Sequence, residues 1–175
     1  MLSHPPGAND RVGVLDWEGQ MIRILTIAAV CAATPLWADT YEGSGKGMGT
    51  SENKMMPIAE GHIVMQTLSN YESFDVSDEH PLKGASGPCF GSAEIKGSEL
   101  SGGGICTYTT ADGEKAVINW HMTNLGEGGA VEGDWTVSGG TGKWATASGG
   151  GKFSSLTDQE TKKFVNTVSG SFTFQ

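Results

Sequence analysis

The stretch GGTGKWATASGGGKF, residues 139–153, is the part of this sequence that most constrains the fold. Glycine loses more conformational freedom on folding than any other residue, so a glycine-rich segment indicates a structural requirement. Glycine is needed where the backbone takes a positive φ, forms a bulge, or passes close to another strand or a ligand. The stretch is therefore either a loop that holds phosphate groups or a tight corner in a β-sheet.

Two phosphate-binding motifs fit this stretch poorly. Residues 140–145 have the spacing G-x-G-x-x-[GA] of a dinucleotide-binding loop, but that motif must open a helix, and a glycine-rich strand is predicted here. A P-loop requires glycine where Val137 stands and Ser or Thr where Trp144 stands. The sequence thus favours a corner in a sheet.

Alternation of apolar and polar residues predicts β-strands along most of the chain after Ala38. In KAVINWHMTN, residues 115–124, one predicted face carries Ala116, Ile118, Trp120 and Met122. Eight strands are predicted, near 40–47, 61–74, 88–96, 103–110, 115–124, 130–138, 144–154 and 163–174. Eight short antiparallel strands in one small domain predict an all-β, up-and-down barrel, because closure removes exposed edges. A two-sheet sandwich is the alternative.

Turn residues and cysteines add detail to this barrel. Asp112-Gly113 predicts a tight hairpin turn, and residues 97–104 are predicted to connect the third and fourth strands. Residues 75–88 form the one long loop, and long loops in compact domains are often functional lids. Cys89 and Cys106 predict a disulfide between neighbouring strands, which stabilises the fold by roughly 3 kcal/mol in the chain-entropy model.

The glycine stretch also resembles a known signature. VSGGTGKWATASGGGKF, residues 137–153, is similar to the motif of the allene oxide cyclase and dirigent superfamily. The matching positions are Gly139, Gly140, Gly142, Trp144, Ala145, Ala147 and Gly149. The resemblance implies a barrel whose glycines form a corner above a packed aromatic ring, with an apolar cavity and frequent assembly into homotrimers. It also implies activity without a cofactor, and it identifies no catalytic residue.

The N-terminal segment predicts export. Residues 21–38 contain Arg23, then a short apolar run, and end with a small residue, Ala38. This order is typical of a signal peptide, which would be cleaved after Ala38. The apolar run is too short for a membrane span. Residues 1–20 are acidic, which suits neither export nor the barrel, so they are interpreted as a mis-assigned extension or a disordered leader. Residues 39–175 are the barrel domain, in a periplasmic or secreted protein.

Charge excludes one class of partner. The chain has a formal net charge of −9, and after Ala38 it contains nine lysines, 17 acidic residues and no arginine. Nucleic-acid binding requires a cluster of positive charge, so this domain is not expected to bind nucleic acid.

Polar candidates for catalysis are few. Glu60 and His62 are predicted to share a face at the start of a strand, where they would act as acid and base or bind a metal; a half-solvated pair is the alternative. His121 is the first candidate for an acid or base, against the alternative of a surface histidine. The acidic residues and His80 of residues 75–80 lack standard ligand spacing, so a solvated loop and no metal site are predicted.

Three functions are consistent with these patterns. The first is an exported barrel that binds a small apolar or aromatic molecule, with Trp120, Trp135, Phe164 and Phe172 as lining or core. The second is a cofactor-free cyclase or isomerase of the allene oxide cyclase and dirigent type, in which cavity shape supplies most of the rate. The third is a structural barrel filled by its own side chains. A cavity below about 100 Å³ would favour the third, since ligand pockets begin at roughly 300 Å³.

Overall fold

The computed structural model describes residues 38–175, which form eight β-strands and two short 3-10 turns. The strands are β1 (Asp39–Ala59), β2 (His62–Asp75), β3 (Gly87–Lys96), β4 (Glu99–Thr109), β5 (Lys115–Leu125), β6 (Val131–Gly140), β7 (Ser148–Thr157) and β8 (Lys163–Phe174). The predicted extension, residues 1–20, and the predicted signal peptide up to residue 37 lie outside the described residues.

The strands form one closed barrel. Each strand pairs antiparallel with the next in the chain, and β8 pairs with β1 to complete the ring. The predicted eight-stranded up-and-down barrel is confirmed, and the sandwich alternative is wrong. Because β1 and β5 lie four strands apart in a ring of eight, they form opposite walls of the barrel.

The inward faces follow the predicted alternation. Ala116, Ile118 and Met122 of β5 are buried, while His121 on the other face is exposed. Phe164 and Phe172 of β8 are also buried. The structure thus shows which of the two alternating faces points inward, which the period-two pattern alone left open.

β1 is much longer than the predicted segment near 40–47. Four alternate inward positions, 43, 45, 47 and 49, are glycines, so the apolar alternation that marks a strand is missing. A Cβ on Gly47 would lie 2.6 Å from Cε1 of Tyr71, and a Cβ on Gly49 would overlap the carbonyl oxygen of Asn70. The close approach of β2 therefore explains glycine at these two positions.

Two other predicted boundaries are wrong. Only Gly97 and Ser98 separate β3 from β4, and the glycines at 102–104 lie inside β4. A Cβ on Gly104 would lie 2.7 Å from Cζ2 of Trp120, so this glycine makes room for an indole ring. β7 begins at Ser148 instead of near 144, because Gly142–Ala145 forms a 3-10 turn. The predicted hairpin turn at Asp112-Gly113 is present, and Gly113 has a φ of 83°.

The glycine stretch forms a corner between β6 and β7. Gly140 has a φ of 155°, and a Cβ there would overlap the carbonyl oxygen of Lys115. Trp144 in the following 3-10 turn is fully buried, and its ring packs edge-on against Phe172 and Phe174 at centroid distances of 5.6 and 5.1 Å. The backbone thus turns tightly above an aromatic cluster.

The disulfide bears on the cellular compartment. Cys89 and Cys106 lie directly opposite each other on β3 and β4 and form the predicted disulfide. Within residues 38–175 we find no helix with the length and hydrophobicity that a membrane-spanning helix requires. The disulfide is compatible with an exported protein.

β1 extends beyond β8 at one end of the barrel. The paired register with β8 ends at Thr50, after which the Ser51 backbone N–H donates to the Lys162 carbonyl oxygen at 2.8 Å. The register with β2 continues to Ala59. Within the part of the chain that the structure describes, residues 52–59 therefore pair on one side only.

Candidate functional site

The barrel encloses a cavity of about 490 Å³. At one end, the cavity reaches exposed residues of β1, β5 and two turns, namely Met55, Leu125, Gly128, Gly129 and Gln159. This end also contains the part of β1 that has no β8 partner. We refer to it as the open end, because a molecule enters or leaves the cavity most directly there.

The opposite end is closed by the loop of residues 76–86. His80 in this loop is buried, and its ring packs edge-on against Tyr41 and Phe172 at centroid distances of 4.8 and 5.5 Å. The Leu82 backbone N–H donates to His80 Nδ1 at 3.0 Å. Burial lowers the pKa of His80 to about 4, so its side chain is neutral at pH 7. The prediction of a solvated loop is therefore wrong at His80, because the loop folds into the barrel end.

A cluster of hydrogen-bonding side chains lies within the cavity wall. Asn166 Nδ2 donates to the Tyr71 hydroxyl at 2.7 Å, and the rings of Tyr71 and Tyr108 meet edge-on at 5.1 Å. Burial raises the pKa of Tyr71 to about 12, and burial together with Tyr71 raises that of Tyr108 well above its usual value. Both phenols are therefore neutral at pH 7. Asn166 Oδ1 is buried and has no hydrogen-bond partner among the described residues.

A second polar cluster lines the cavity where β1 meets β2. Ser51 Oγ lies 2.8 Å from Ser69 Oγ, 3.5 Å from Thr67 Oγ1 and 3.4 Å from Asn53 Oδ1. Ser51 is itself buried. These side chains satisfy one another with neutral hydrogen bonds, so this wall is polar without carrying charge.

All four predicted ligand-binding aromatic residues line the cavity: Trp120, Trp135, Phe164 and Phe172. Trp135 Nε1 donates to the Ser169 carbonyl oxygen at 3.2 Å, and its ring stacks on Phe172 at 4.8 Å. Trp120 Nε1 is buried and has no acceptor among the described residues. These four rings therefore provide the aromatic part of the cavity wall.

The predicted catalytic residues lie elsewhere. His121 is exposed on the outer face of β5, with Nδ1 2.7 Å from the Met122 carbonyl oxygen. Glu60 is exposed in the turn between β1 and β2, so the expectation that it shares a strand face with His62 is wrong. His62 Nε2 lies 2.7 Å from Glu94 Oε1. The structure does not bring the three together, and a catalytic role for any of them stays a prediction.

Sequence reasoning missed several residues of the cavity wall, above all Tyr71, Asn166 and Ser51. Asn166 falls in phase with Phe164 and Val168, so the period-two pattern of β8 was sufficient to place it inside. Tyr71 likewise falls in phase with Met65, Thr67 and Ser69 on β2, whereas the register shift that leaves Glu72 unpaired moves the inward phase to Phe74. A polar residue on an otherwise apolar strand face, such as Asn166 between Phe164 and Val168, was the signal that could have identified the polar part of the cavity wall.

Comparison with known proteins gives a similarity of fold. No family model matches the sequence, and no curated protein matches it. Among solved structures, the chain is similar to the pterocarpan synthase dirigent protein GePTS1 at 15% identity and a TM-score of 0.48. The match covers 81% of this chain and 88% of that chain. At this identity the likeness concerns the fold alone.

Proposed function

We propose that this protein binds a small, uncharged, apolar or aromatic molecule inside its barrel. The observation that carries the proposal is the cavity of about 490 Å³, which lies within the range of roughly 300–1,000 Å³ typical of ligand pockets. Trp120, Trp135, Phe164 and Phe172 offer flat apolar surfaces for such a molecule. The proposed ligand enters through the open end.

The cavity's size bears on the alternative of a structural barrel with a filled core. That alternative requires less than about 100 Å³ of internal space, well below the size of ordinary ligand pockets. The volume of about 490 Å³ favours a barrel that accommodates a ligand.

A cofactor-free cyclase or isomerase is the second candidate. Tyr71 and Tyr108 favour it, because buried phenol hydroxyls polarise an oxygen of a bound substrate by hydrogen bonding. Acid–base catalysis at pH 7 is less well supported. His80 has a pKa of about 4, and none of the described residues that line the cavity is Asp, Glu or Lys. Binding is therefore our first proposal, with His121, Glu60 and His62 as untested catalytic candidates.

We also infer export and self-association. The disulfide supports a periplasmic or secreted location, with a signal peptide cleaved after Ala38. A homotrimer follows from the resemblance at residues 137–153. Leu68, Phe90 and Ile105, exposed neighbours on the outer faces of β2, β3 and β4, provide an apolar row for contact between copies. Light scattering with size-exclusion chromatography tests the trimer, and a monomer would contradict it.

Native mass spectrometry of the oxidised protein purified from its own source tests the binding proposal. The expected spectrum contains the protein together with a retained neutral molecule. Isothermal titration of the recombinant protein with 2-naphthol, an uncharged aromatic probe, provides the second readout, and saturable binding of one molecule per barrel is expected.

Two variants on one strand provide the control. Thr67 lines the cavity and Gln66 is exposed on the outer face of β2, so Thr67→Trp fills the cavity whereas Gln66→Trp does not. Loss of 2-naphthol binding in T67W but not in Q66W, with cooperative unfolding in both, supports the proposal. A wild-type protein that retains no molecule and shows no saturable binding overturns it.

A further inference from the structure

The polar side chains of the cavity are confined to one half of its wall, which they share with apolar residues such as Met65, Phe153 and Phe164. The inward Ser, Thr, Asn and Gln side chains all come from β7, β8, β1, β2 and the turn between β7 and β8. They include Ser51, Asn53, Thr67, Ser69, Ser155 and Asn166. Because β7, β8, β1 and β2 are consecutive in the closed ring, these residues belong to one continuous half of the wall.

The strand register places polar residues next to one another within this half. Ser51 pairs with Ser69 across β1 and β2, and Ser155 pairs with Asn166 across β7 and β8. Asn53 and Thr67 form the next pair of β1 and β2 towards the open end. The polar groups therefore follow the length of the cavity instead of forming a single spot.

The opposite half is apolar. β5, which faces β1 across the ring, contributes Ile118, Trp120, Met122 and Leu125, and β6 contributes Val131 and Trp135. The exceptions in this half are Tyr108, whose ring meets that of Tyr71 from the polar half, and the buried indole N–H of Trp120, which has no acceptor among the described residues. Away from these two groups, a hydroxyl group pressed against the apolar half would lose its hydrogen bonds to water and gain none, which is unfavourable.

The division between the two halves determines which uncharged molecule fits. We propose that the cavity selects a ligand whose hydroxyl, carbonyl or ether oxygens lie along one edge and whose opposite edge is hydrocarbon. This inference rests on the proposed binding function. The oxygens of the ligand contact Thr67, Ser69 and Ser155, and its hydrocarbon edge packs on Trp120 and Met122. Specificity then comes from the position of the oxygens and not from their number.

Two isomeric probes test this inference. In 2,7-dihydroxynaphthalene both hydroxyls lie towards one long edge of the ring system, whereas in 2,6-dihydroxynaphthalene they lie on opposite edges. The isomers have equal volume and are uncharged at pH 7. We expect the 2,7 isomer to bind about tenfold more tightly by isothermal titration, because the 2,6 isomer buries one hydroxyl without a partner.

One variant in each half of the cavity tests whether the wall residues cause the preference for the 2,7 isomer. The double variant Thr67→Val and Ser155→Ala removes hydroxyls from the polar half at nearly constant shape, and we expect it to lose most of the preference. Ile118→Val on the apolar half changes the affinity for both isomers equally, so the preference remains. Unchanged unfolding curves show that each variant folds.

The outcomes distinguish this inference from the proposed function. Equal affinity for the two isomers, or an unaltered preference in the Thr67 and Ser155 double variant, overturns the inference while binding itself stands. Binding of naphthalene but of neither diol overturns it as well, since the cavity then accepts only hydrocarbon. A protein that binds none of these probes and retains no molecule from its source contradicts both proposals.

Discussion

Asn166 on β8 donates a hydrogen bond to the hydroxyl of Tyr71 on β2, although β1 lies between the two strands and 95 positions separate the residues. Gly47 on the intervening strand makes this contact feasible, because it pairs with Asn166 and has no side chain to displace the Tyr71 ring. The bond therefore connects β8 to β2 across β1, within the polar half of the cavity.

Tyr71→Phe is expected to lower the free energy of unfolding by about 1–3 kcal/mol, the usual cost of leaving a buried donor without a partner. Asn166 Oδ1 already has no partner among the described residues, so loss of the tyrosine hydroxyl leaves the whole amide unpaired. Urea denaturation measures the change. The double variant Tyr71→Phe and Asn166→Leu should lose less than Y71F alone, and an equal or greater loss would contradict the role assigned to this bond.

Gly140→Ala should destabilise the barrel by more than about 3 kcal/mol, because the new Cβ overlaps backbone in a corner that has little freedom to move. Gly113→Ala is the matched control: its φ is 83° but nothing lies within 4 Å of the new Cβ. Only the positive φ is then unfavourable, at about 1–2 kcal/mol. Thermal unfolding of both variants tests the difference, and similar melting temperatures would show that the corner is not crowded.

The burial of His80 is expected to make the stability of the protein depend on pH. Its pKa is lowered by burial from an ordinary 6.5 to about 4 in the folded protein, so between these values the unfolded chain binds the proton more readily. The free energy of unfolding should therefore fall as the pH decreases from about 6.5 to about 4. His80→Gln, which cannot titrate, should lose this part of the pH profile. His121→Gln, at an exposed position, is the control, and an identical profile for H80Q and wild type would refute the assignment.

Removal of the disulfide by the double variant Cys89→Ala and Cys106→Ala should lower stability by roughly 3 kcal/mol, on the chain-entropy model for a separation of 17 residues. Equilibrium unfolding in urea tests this value. Wild-type protein under reducing conditions should show a similar loss. No change in either experiment would mean that the cross-strand bond contributes little beyond the pairing of β3 with β4.

The sequence predicted the barrel because most strands bury one face and expose the other, as β5 does with Ile118 inside and His121 outside. It predicted β1 near 40–47 but missed residues 48–59, where Gly49, Ser51 and Asn53 stand at inward positions instead of apolar residues. It located the aromatic part of the cavity through Trp120 and Trp135. The polar half was missed because Ser51 and Thr67 resemble surface residues, and because Asn166 was not assigned to the inward face although it is in phase with Phe164.

The extension of β1 beyond β8 has a consequence for solubility. Since the Ser51 N–H points towards β8, alternation directs the backbone groups of residues 53, 55 and 57 to the same unpaired side. An unpaired edge with exposed Met55, Met56 and Ile58 is a template for strand addition and aggregation. Pro57 interrupts that template because it has no N–H to offer an incoming strand. Within residues 38–175, this edge has no partner strand, and the proline opposes the addition of further copies to it at the open end of the barrel.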